Sequence, residues 1–345
     1  MKQRKPRILV IGTGGAISAK TLHGIWKYGE MKQEELIDMV PEIRHKFQIK
    51  TLDLLRIDSS DFTPDHWLTL ANTIYYNMKD YDGIVVTMGT DTMHFADTAI
   101  SFLIQNKNIP IVFTGSKADP LSPSSDATRN LTDAITLAGT SDIAEAVIVF
   151  DGEVFRAART KKINASEFRA FGSTTVEPLG KVEQFIKLKG PYRKRSKCKP
   201  ALYRKLDIDV AIMKVYPGFD GNRIVSLIND GATGIVIEGF GLGNLPLHNN
   251  AVENAIKYAN KKNIPIVVTS DCILGEYWQE IFEAEVGSRI KRLKIIHAYD
   301  MLPETAYVKL MWVLGQTRKY EEVKKMMQKN YVGEISEYKK GKRKH

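Results

Sequence analysis

Cysteines and long apolar runs are both scarce in this chain of 345 residues. Its two cysteines, Cys198 and Cys272, cannot build a disulfide framework and form no paired-cysteine metal motif. The start of the chain is basic and then apolar, as in a secretory signal, but the unbroken run "ILVI" at 8–11 is shorter than the usual ~7–15 residues. No stretch approaches the ~20 apolar residues that span a bilayer. We therefore expect a cytoplasmic protein with no membrane partner.

Motifs for metals and cofactors are also sparse. The seven histidines are scattered and do not combine with acids or cysteines at ligand spacing. The turn "GTGG" at 12–15 is close to a dinucleotide fingerprint, but its spacing is G-x-G-G instead of G-x-G-x-x-G. We therefore expect neither a metal ion nor an organic cofactor.

The net charge of +10 comes mainly from two short segments. Residues 191–205 hold seven Lys or Arg and no acid, and residues 337–345 hold five against one Glu. Such segments can bind nucleic acid, but they also occur as solvated linkers and tails. No aromatic-rich RNA motif or zinc-finger spacing accompanies the charge. We interpret the segments as a linker and a tail, and we do not expect a nucleic-acid partner.

Short apolar, β-branched runs alternate with amphipathic stretches along the whole chain. This alternation predicts βαβ units and a mostly parallel sheet, with ligands bound beyond the carboxyl ends of the strands. The segment "NKNIPIVFTGS" at 106–116 returns as "KKNIPIVVTSD" at 261–271, which favours two similar halves. The predicted domains are an N-terminal catalytic α/β domain, a proline-flanked basic linker and a C-terminal α/β domain, at 1–190, 191–208 and 209–345.

Two predicted strands end in a threonine beside glycine. "VIGTGGAIS" presents Thr13, and "VVTMGTDTM" presents Thr90 followed directly by Asp91. A helix cap would explain such residues, and Thr92 is well placed to cap the next helix. A hydroxyl can also act as a nucleophile when a base takes its proton, and a partly desolvated lysine oriented by Asp91 suits that role. The pair at 161–162 follows another strand and offers two candidates for this lysine.

These motifs together resemble the L-asparaginase family, in its type I, cytoplasmic form from bacteria and archaea. "TGG" and "TMGTDT" are specific in combination, and the similarity extends from "IGTGGAIS" to "KNYVGEIS". The resemblance implies a larger N-terminal domain with a flavodoxin-like parallel sheet, a smaller C-terminal α/β domain, and homodimers or homotetramers. Further matching motifs are "DSSD" at 58–61, "TGS" at 114–116, "SD" at 125–126, "YPG" at 216–218 and "GLGN" at 241–244.

The resemblance implies a site and a reaction. The enzyme would hydrolyse L-asparagine to L-aspartate and ammonia, with Thr13 attacking the side-chain carboxamide and water cleaving the acyl-enzyme. Members of the family have the pattern R-x-x-K at this point of the chain. Arg159 fixes its register here, so the resemblance selects Lys162 over Lys161. The residues implied are Thr13 as nucleophile, Thr90, Asp91 and Lys162 as the second catalytic set, Ser59 and Asp91 at the α-carboxylate and α-ammonium, backbone N–H groups near Gly89 and Thr90 at the oxyanion, and Ser116 at the amide end.

Some positions depart from the family pattern. Ala16 stands where the family has threonine, and Ala127 follows "SD" where the family has glycine. The family's activating tyrosine follows a glycine, but here Ile25 does so, which leaves Trp26 and Tyr28 as candidates. Only the tyrosine has the required hydroxyl, so Tyr28 is the predicted catalytic tyrosine, with an exposed loop aromatic as the alternative.

Asn244 in "GLGN" matches a family residue that reaches into the neighbouring subunit's site. This match would make dimerisation a requirement for catalysis; a simple turn asparagine is the alternative. Two other functions use the same scaffold: the glutaminase-type subunit of a tRNA-dependent amidotransferase, and a non-catalytic asparagine sensor. Selectivity between asparagine and glutamine rests on one methylene, and an apolar pocket distinguishes that by only ~1–3 kcal/mol.

Overall fold

The computed structural model describes residues 4–22, 25–27, 29–173, 175–248, 250–274 and 292–336. The chain divides into two units, Met1–Arg204 and Lys205–His345. Each unit has its own sheet, and each is described here by itself. Within the described ranges, no helix is both long and apolar enough to cross a membrane.

The first unit contains the longer run of alternating strands and helices. Its strands are β1 (Arg7–Gly14), β2 (Lys20–Leu22), β3 (Ile25–Lys27), β4 (Gln48–Ile57), β5 (Gly83–Thr87), β6 (Ile104–Gln105), β7 (Ile111–Thr114), β8 (Ala146–Phe150), β9 (Glu153–Arg156), β10 (Thr160–Lys162), β11 (Phe171–Ser173), β12 (Gly180–Val182), β13 (Ile186–Leu188) and β14 (Ala201–Leu202). Its helices are α1 (Gln33–Asp38), α2 (Ile43–Lys46), α3 (Pro64–Asn77), α4 (Met93–Leu103) and α5 (Ala127–Thr140).

Eight of these strands form one sheet in the order β13-β12-β9-β8-β7-β5-β1-β4. The five strands from β8 to β4 are parallel, and β9, β12 and β13 are antiparallel to their neighbours. Helices cover both faces of the central strands, so these strands are apolar except for a threonine at the end of β5 and of β7. Every residue of β5, β7 and β8 is buried. The register pairs Gly12 with Thr87 and Thr87 with Thr114, so β1, β5 and β7 end at the same edge.

The second unit has a smaller parallel sheet in the order β15-β16-β17-β18. Its core joins the apolar faces of that sheet and of the helices beside it, including Ile224, Ile237, Ile256 and Val268. The predicted α/β architecture, with a larger N-terminal parallel sheet and a smaller C-terminal α/β domain, is confirmed. The elements are β15 (Val210–Lys214), β16 (Gly234–Gly239), β17 (Ile266–Ser270), β18 (Ile296–His297), α6 (Asn222–Asn229), α7 (Ala251–Lys261), α8 (Pro303–Leu314) and α9 (Tyr320–Met327).

The basic segment before the second unit packs along the first unit. The backbone N–H of Arg195 donates to Asp142 O at 2.8 Å, and its guanidinium donates to Ser141 O and Ala138 O at the end of α5. A cation there complements the negative end of the helix dipole. β14 pairs with β6, so the contacts of the first unit extend to Arg204. The division into two domains and a linker at 191–208 stays a prediction.

A fully buried ion pair lies at the end of the second unit. Lys309 on α8 and Glu334 are both 0% exposed, with Nζ and Oε1 2.7 Å apart. The ammonium also donates to the carbonyls of Met327 and Lys329 at 2.8 and 2.7 Å. The carboxylate accepts the N–H groups of Tyr331 and Val332. This network attaches the segment after α9 to α8.

Candidate active site

The site is built on the turns that follow β1 and β5. Gly14 and Gly15 have φ values of +110° and +78°, a region that residues with a Cβ rarely adopt. A Cβ on Gly15 would lie 2.1 Å from the backbone nitrogen of Gly89, so the two turns are in close contact. The "TGG" motif is therefore needed for packing one strand tip against the other.

Thr13 is held at this junction by its hydroxyl. The side chain is 1% exposed, and Oγ1 donates to the carbonyl of Thr87 at 3.0 Å. The Thr87 hydroxyl donates in turn to Oε1 of buried Gln33 at 2.8 Å. A Cβ on Gly12 would lie 2.4 Å from Nε2 of Gln33, so the Gln33 side chain packs directly against this glycine. Gln33 is a supporting residue that sequence reasoning missed, since nothing near position 33 links it to the threonines.

The structure brings Thr90, Asp91 and Lys162 together. Lys162 lies at the end of β10, and its Nζ donates to Thr90 Oγ1 at 2.9 Å and to Asp91 Oδ1 at 2.5 Å. The lysine side chain is 17% exposed and the aspartate side chain 62%. Residues more than 70 positions apart thus form one hydroxyl–ammonium–carboxylate cluster. Of the two lysines at 161–162, Lys162 makes this contact.

Ser59 lies in the short 3-10 helix after β4 and contacts the turn after β5 that contains Gly89 and Asp91. It is 4% exposed, and its Oγ accepts the backbone N–H of Asp91 at 3.2 Å. A Cβ on Gly89 would lie 2.6 Å from that Oγ, so only glycine allows this approach. Thr92 occupies the N-cap of α4, but its side chain makes no capping bond and donates instead to Ser59 O at 2.6 Å. The expectation that its hydroxyl caps the helix is therefore wrong.

Ser116 follows β7 at the same edge of the sheet. It is 1% exposed, and its hydroxyl donates to Ala118 O at 2.6 Å. Asp126 holds this loop by accepting the N–H groups of Lys117 and Ala118, and Asn130 donates to the same carboxylate. Burial raises the pKa of Asp126 although these bonds oppose the shift. The "SD" motif therefore fixes the loop that carries Ser116.

Lys117 is a second lysine near the cluster, and sequence reasoning missed it. Its Nζ donates to the carbonyl of Ala165 at 2.5 Å. Burial, followed by the positive charge of Lys162, lowers the pKa of Lys117, while Asp91 and Asp126 oppose that shift. The Lys117 side chain thus joins the loop after β7 to the loop after β10.

Two further residues, Tyr28 and Asn244, are predicted for the site. Tyr28 is outside the residues that the structure describes. Asn244 belongs to the second unit, where its backbone forms a two-way bridge with Phe240. Buried His297 donates from Nε2 to Leu242 O at 3.0 Å in the same loop and accepts the Tyr299 N–H at Nδ1. Within the described ranges, no three His, Cys, Asp or Glu side chains lie where they could hold a metal ion; the absence of a cofactor stays a prediction.

Comparison with protein families identifies the family of the chain. A family model described as "Asparaginase, N-terminal" matches residues 7–193, and one described as "Glutaminase/Asparaginase C-terminal domain" matches residues 209–327. The chain belongs to the asparaginase family. The resemblance drawn from the motifs of the sequence is thus confirmed.

Relatives within the asparaginase family carry two kinds of name. A glutamyl-tRNA(Gln) amidotransferase subunit of Pyrococcus horikoshii is 38% identical over 98% of this chain and 78% of its own length. The thermostable L-asparaginase from Thermococcus kodakarensis aligns with a TM-score of 0.89 at 30% identity, over 96% of this chain and all of that one. L-asparaginase I from Vibrio cholerae aligns with a TM-score of 0.86 at 29% identity, over 96% and 100% of the two chains.

Proposed function

We propose that the protein is an L-asparagine amidohydrolase that forms L-aspartate and ammonia through a threonine acyl-enzyme. The observation that carries the proposal is the contact of the Lys162 ammonium with Thr90 and Asp91, beside the glycine turn that follows Thr13. A pure binding protein gains nothing from a half-buried lysine against a hydroxyl. The likeness to solved L-asparaginases over their whole length supports the same activity.

In the first displacement, Thr13 Oγ1 bonds to the side-chain carboxamide carbon. The C–N bond breaks, and the nitrogen leaves as ammonia with the hydroxyl proton; Tyr28 is the residue proposed to transfer it. Backbone N–H groups at 89–90 stabilise the oxyanion, a contribution of ~2.7–4 kcal/mol per donor in other enzymes. The turn that contains Gly89 suits this role because it touches the nucleophile's own turn.

In the second displacement, water cleaves the ester and restores Thr13. A proton of the attacking water passes through the Thr90 hydroxyl to Lys162, and a proton returns to Thr13 Oγ1 as the ester C–O bond breaks; Asp91 orients the amine. Ser59 and Asp91 hold the α-carboxylate and α-ammonium of the substrate, and Ser116 lines the amide end. The proposal extends to a homodimer or homotetramer in which Asn244 completes the neighbouring site, and to a cytoplasmic location.

A second candidate follows from the names of the relatives. Four archaeal relatives at 36–38% identity are named as a subunit of glutamyl-tRNA(Gln) amidotransferase. In that role the same threonines would release ammonia from glutamine for a partner protein. The two candidates share the chemistry and differ in the amide donor and in the need for a partner.

Ammonia release by the purified chain tests both candidates. We expect turnover of L-asparagine to fall at least ~10³-fold in Thr13→Ala and in Lys162→Met, since each removes a group needed for bond making or proton transfer. Thr69→Ala, at an exposed threonine on α3, is the matched control and should keep wild-type turnover.

The outcome of this assay separates the alternatives. Release of ammonia from glutamine alone, or only after a partner protein is added, would favour the amidotransferase role. Binding of asparagine by a folded oligomer without any ammonia would identify a sensor and rule out the proposed enzyme.

A further inference from the structure

Gln33 is a buried polar residue that the proposed reaction does not use, although it lies beside the turn of the nucleophile. It is the first residue of α1 and is 1% exposed. Three of its side-chain atoms, Cγ, Cδ and Nε2, lie 2.4 to 2.6 Å from the position that a Cβ on Gly12 would take. The side chain is therefore packed against the residue that directly precedes Thr13.

The same side chain contacts the residue that holds the Thr13 hydroxyl. Thr13 Oγ1 donates to the backbone carbonyl of Thr87 at 3.0 Å, and the Thr87 hydroxyl donates to Oε1 of Gln33 at 2.8 Å. Thr87 is 0% exposed, so its hydroxyl needs an acceptor inside the protein. Gln33 thus contacts both the residue before Thr13 and the residue that accepts the Thr13 hydroxyl.

These contacts lie where the pairing of the central strands ends. Gly12 is paired with Asp53 on β4 and with Thr87 on β5, but Thr13 itself has no paired residue on either strand. The backbone N–H of Gln33 donates to Asp53 Oδ1 at 3.0 Å, so the start of α1 is fixed to β4. Because strand pairing stops one residue before the nucleophile, contacts of neighbouring side chains are needed to fix its hydroxyl.

From these contacts we infer that Gln33 is a positioning residue for the first displacement. Its bond to Thr87 keeps the last residue of β5 in the orientation in which the Thr87 carbonyl holds Thr13 Oγ1. The hydroxyl oxygen then attacks the carboxamide carbon from one defined position, and a displacement of about 1 Å can lower such a rate ~10²-fold. Gln33 itself transfers no proton. The inference rests on the proposed function, in which Thr13 is the nucleophile.

Steady-state kinetics with asparagine test the inference through the two partners of the bond. Gln33→Met and Thr87→Val each remove one partner and should lower kcat about 10- to 100-fold, with KM changed less than ~3-fold. Thr87→Ser keeps the hydroxyl and should retain kcat within ~3-fold. Gln105→Met is the matched control and should keep the wild-type kcat, since Gln105 is also buried but donates to the carbonyl of Phe102 at the end of α4.

The double variant Gln33→Met/Thr87→Val separates positioning from a purely structural role. Each single variant leaves one buried polar group without its partner and should destabilise the first unit, whereas the double variant removes both groups. Hydrogen exchange of the β5 amides in increasing urea measures this stability. We expect the stability to recover toward that of the wild type in the double variant, while kcat stays about 10- to 100-fold low. Recovery of kcat together with stability would overturn the inference.

Methyl NMR of Thr13 gives a readout that needs no turnover. In protein labelled with ¹³C at the threonine Cγ2 methyl groups, the Thr13 signal is identified by its absence in Thr13→Ser. Gln33→Met should shift this signal and lower the order parameter of the methyl group, because the side chain is then less well fixed. Gln105→Met should leave both the shift and the order parameter unchanged.

The outcomes distinguish the inference from the function on which it rests. A Gln33→Met variant with the kcat of the wild type, or with an unchanged Thr13 methyl signal, would contradict the positioning role. A wild type without amidase activity would refute the proposed function instead. The order parameter of the Thr13 methyl group would then still decide whether Gln33 fixes this side chain.

Discussion

Removing one partner of the Lys309–Glu334 pair should destabilise the second unit strongly. Both side chains are completely buried, so neither charge can be solvated by water when its partner is lost. Breaking such a pair typically costs about 3–5 kcal/mol. Lys309→Met also leaves the carbonyls of Met327 and Lys329 without their shared donor, so we expect the upper part of that range. Glu334→Gln keeps one oxygen that can accept the N–H groups of Tyr331 and Val332, and should fall at the lower end.

The matched control is Lys319→Met in the same unit. Lys319 pairs with Glu322 at 3.2 Å, but the two side chains are 81% and 51% exposed, and such pairs contribute at most about 1 kcal/mol. Hydrogen exchange of the α8 amides in increasing urea measures the free energy of unfolding of the second unit. A single global unfolding curve of a two-unit chain does not separate this value from that of the first unit. If Lys309→Met and Lys319→Met differed by less than about 1 kcal/mol, the reasoning from burial would be refuted.

Two further predictions concern the loop that contains Asn244. Burial lowers the pKa of His297 to about 4, below its usual 6.5, so the unfolded state binds the proton more readily. The second unit should therefore be most stable above about pH 6.5 and lose on the order of 3 kcal/mol as the pH falls to 4. Urea midpoints at several pH values measure the stability of the second unit, and in His297→Gln this stability should depend less on pH. An equal dependence on pH in wild type and His297→Gln would contradict the role of His297. If Asn244 completes the neighbouring site, mixing inactive Thr13→Ala with inactive Asn244→Ala should restore about a quarter of wild-type activity, since half of the randomly mixed dimers have one intact site. Restoration of no activity after subunit exchange, verified by mass, would place Asn244 outside that site.

The strand tips could be predicted because they follow from local rules. Buried parallel strands require apolar runs, and the glycines after Thr13 and before Thr90 mark sharp turns at the carboxyl ends. The neighbouring order of β1, β5 and β7 then brings those ends to one edge. The adjacency of the two threonine turns was therefore implied by pattern and topology together.

The second catalytic set needed more than pattern. Composition and spacing left both lysines at 161–162 open, and family register selected Lys162. The observed contact arises because alternate residues of β10 point in opposite directions, so one lysine faces Thr90. The local pattern likewise predicts that the Thr92 hydroxyl caps α4, but this hydroxyl donates to the carbonyl of Ser59, 33 positions away.

The sequence by itself determined the α/β class, the two sheets and the motifs at the strand ends, because periodicity and turn chemistry act over short distances along the chain. Only the tertiary structure decided that Gln33 supports Thr87, that Asp126 fixes the loop of Ser116, and that the Lys117 side chain reaches Ala165 in the loop after β10. These contacts join residues from separate elements, and burial sets their electrostatic strength. The local sequence pattern determines neither the distance between such residues nor how far they are shielded from water.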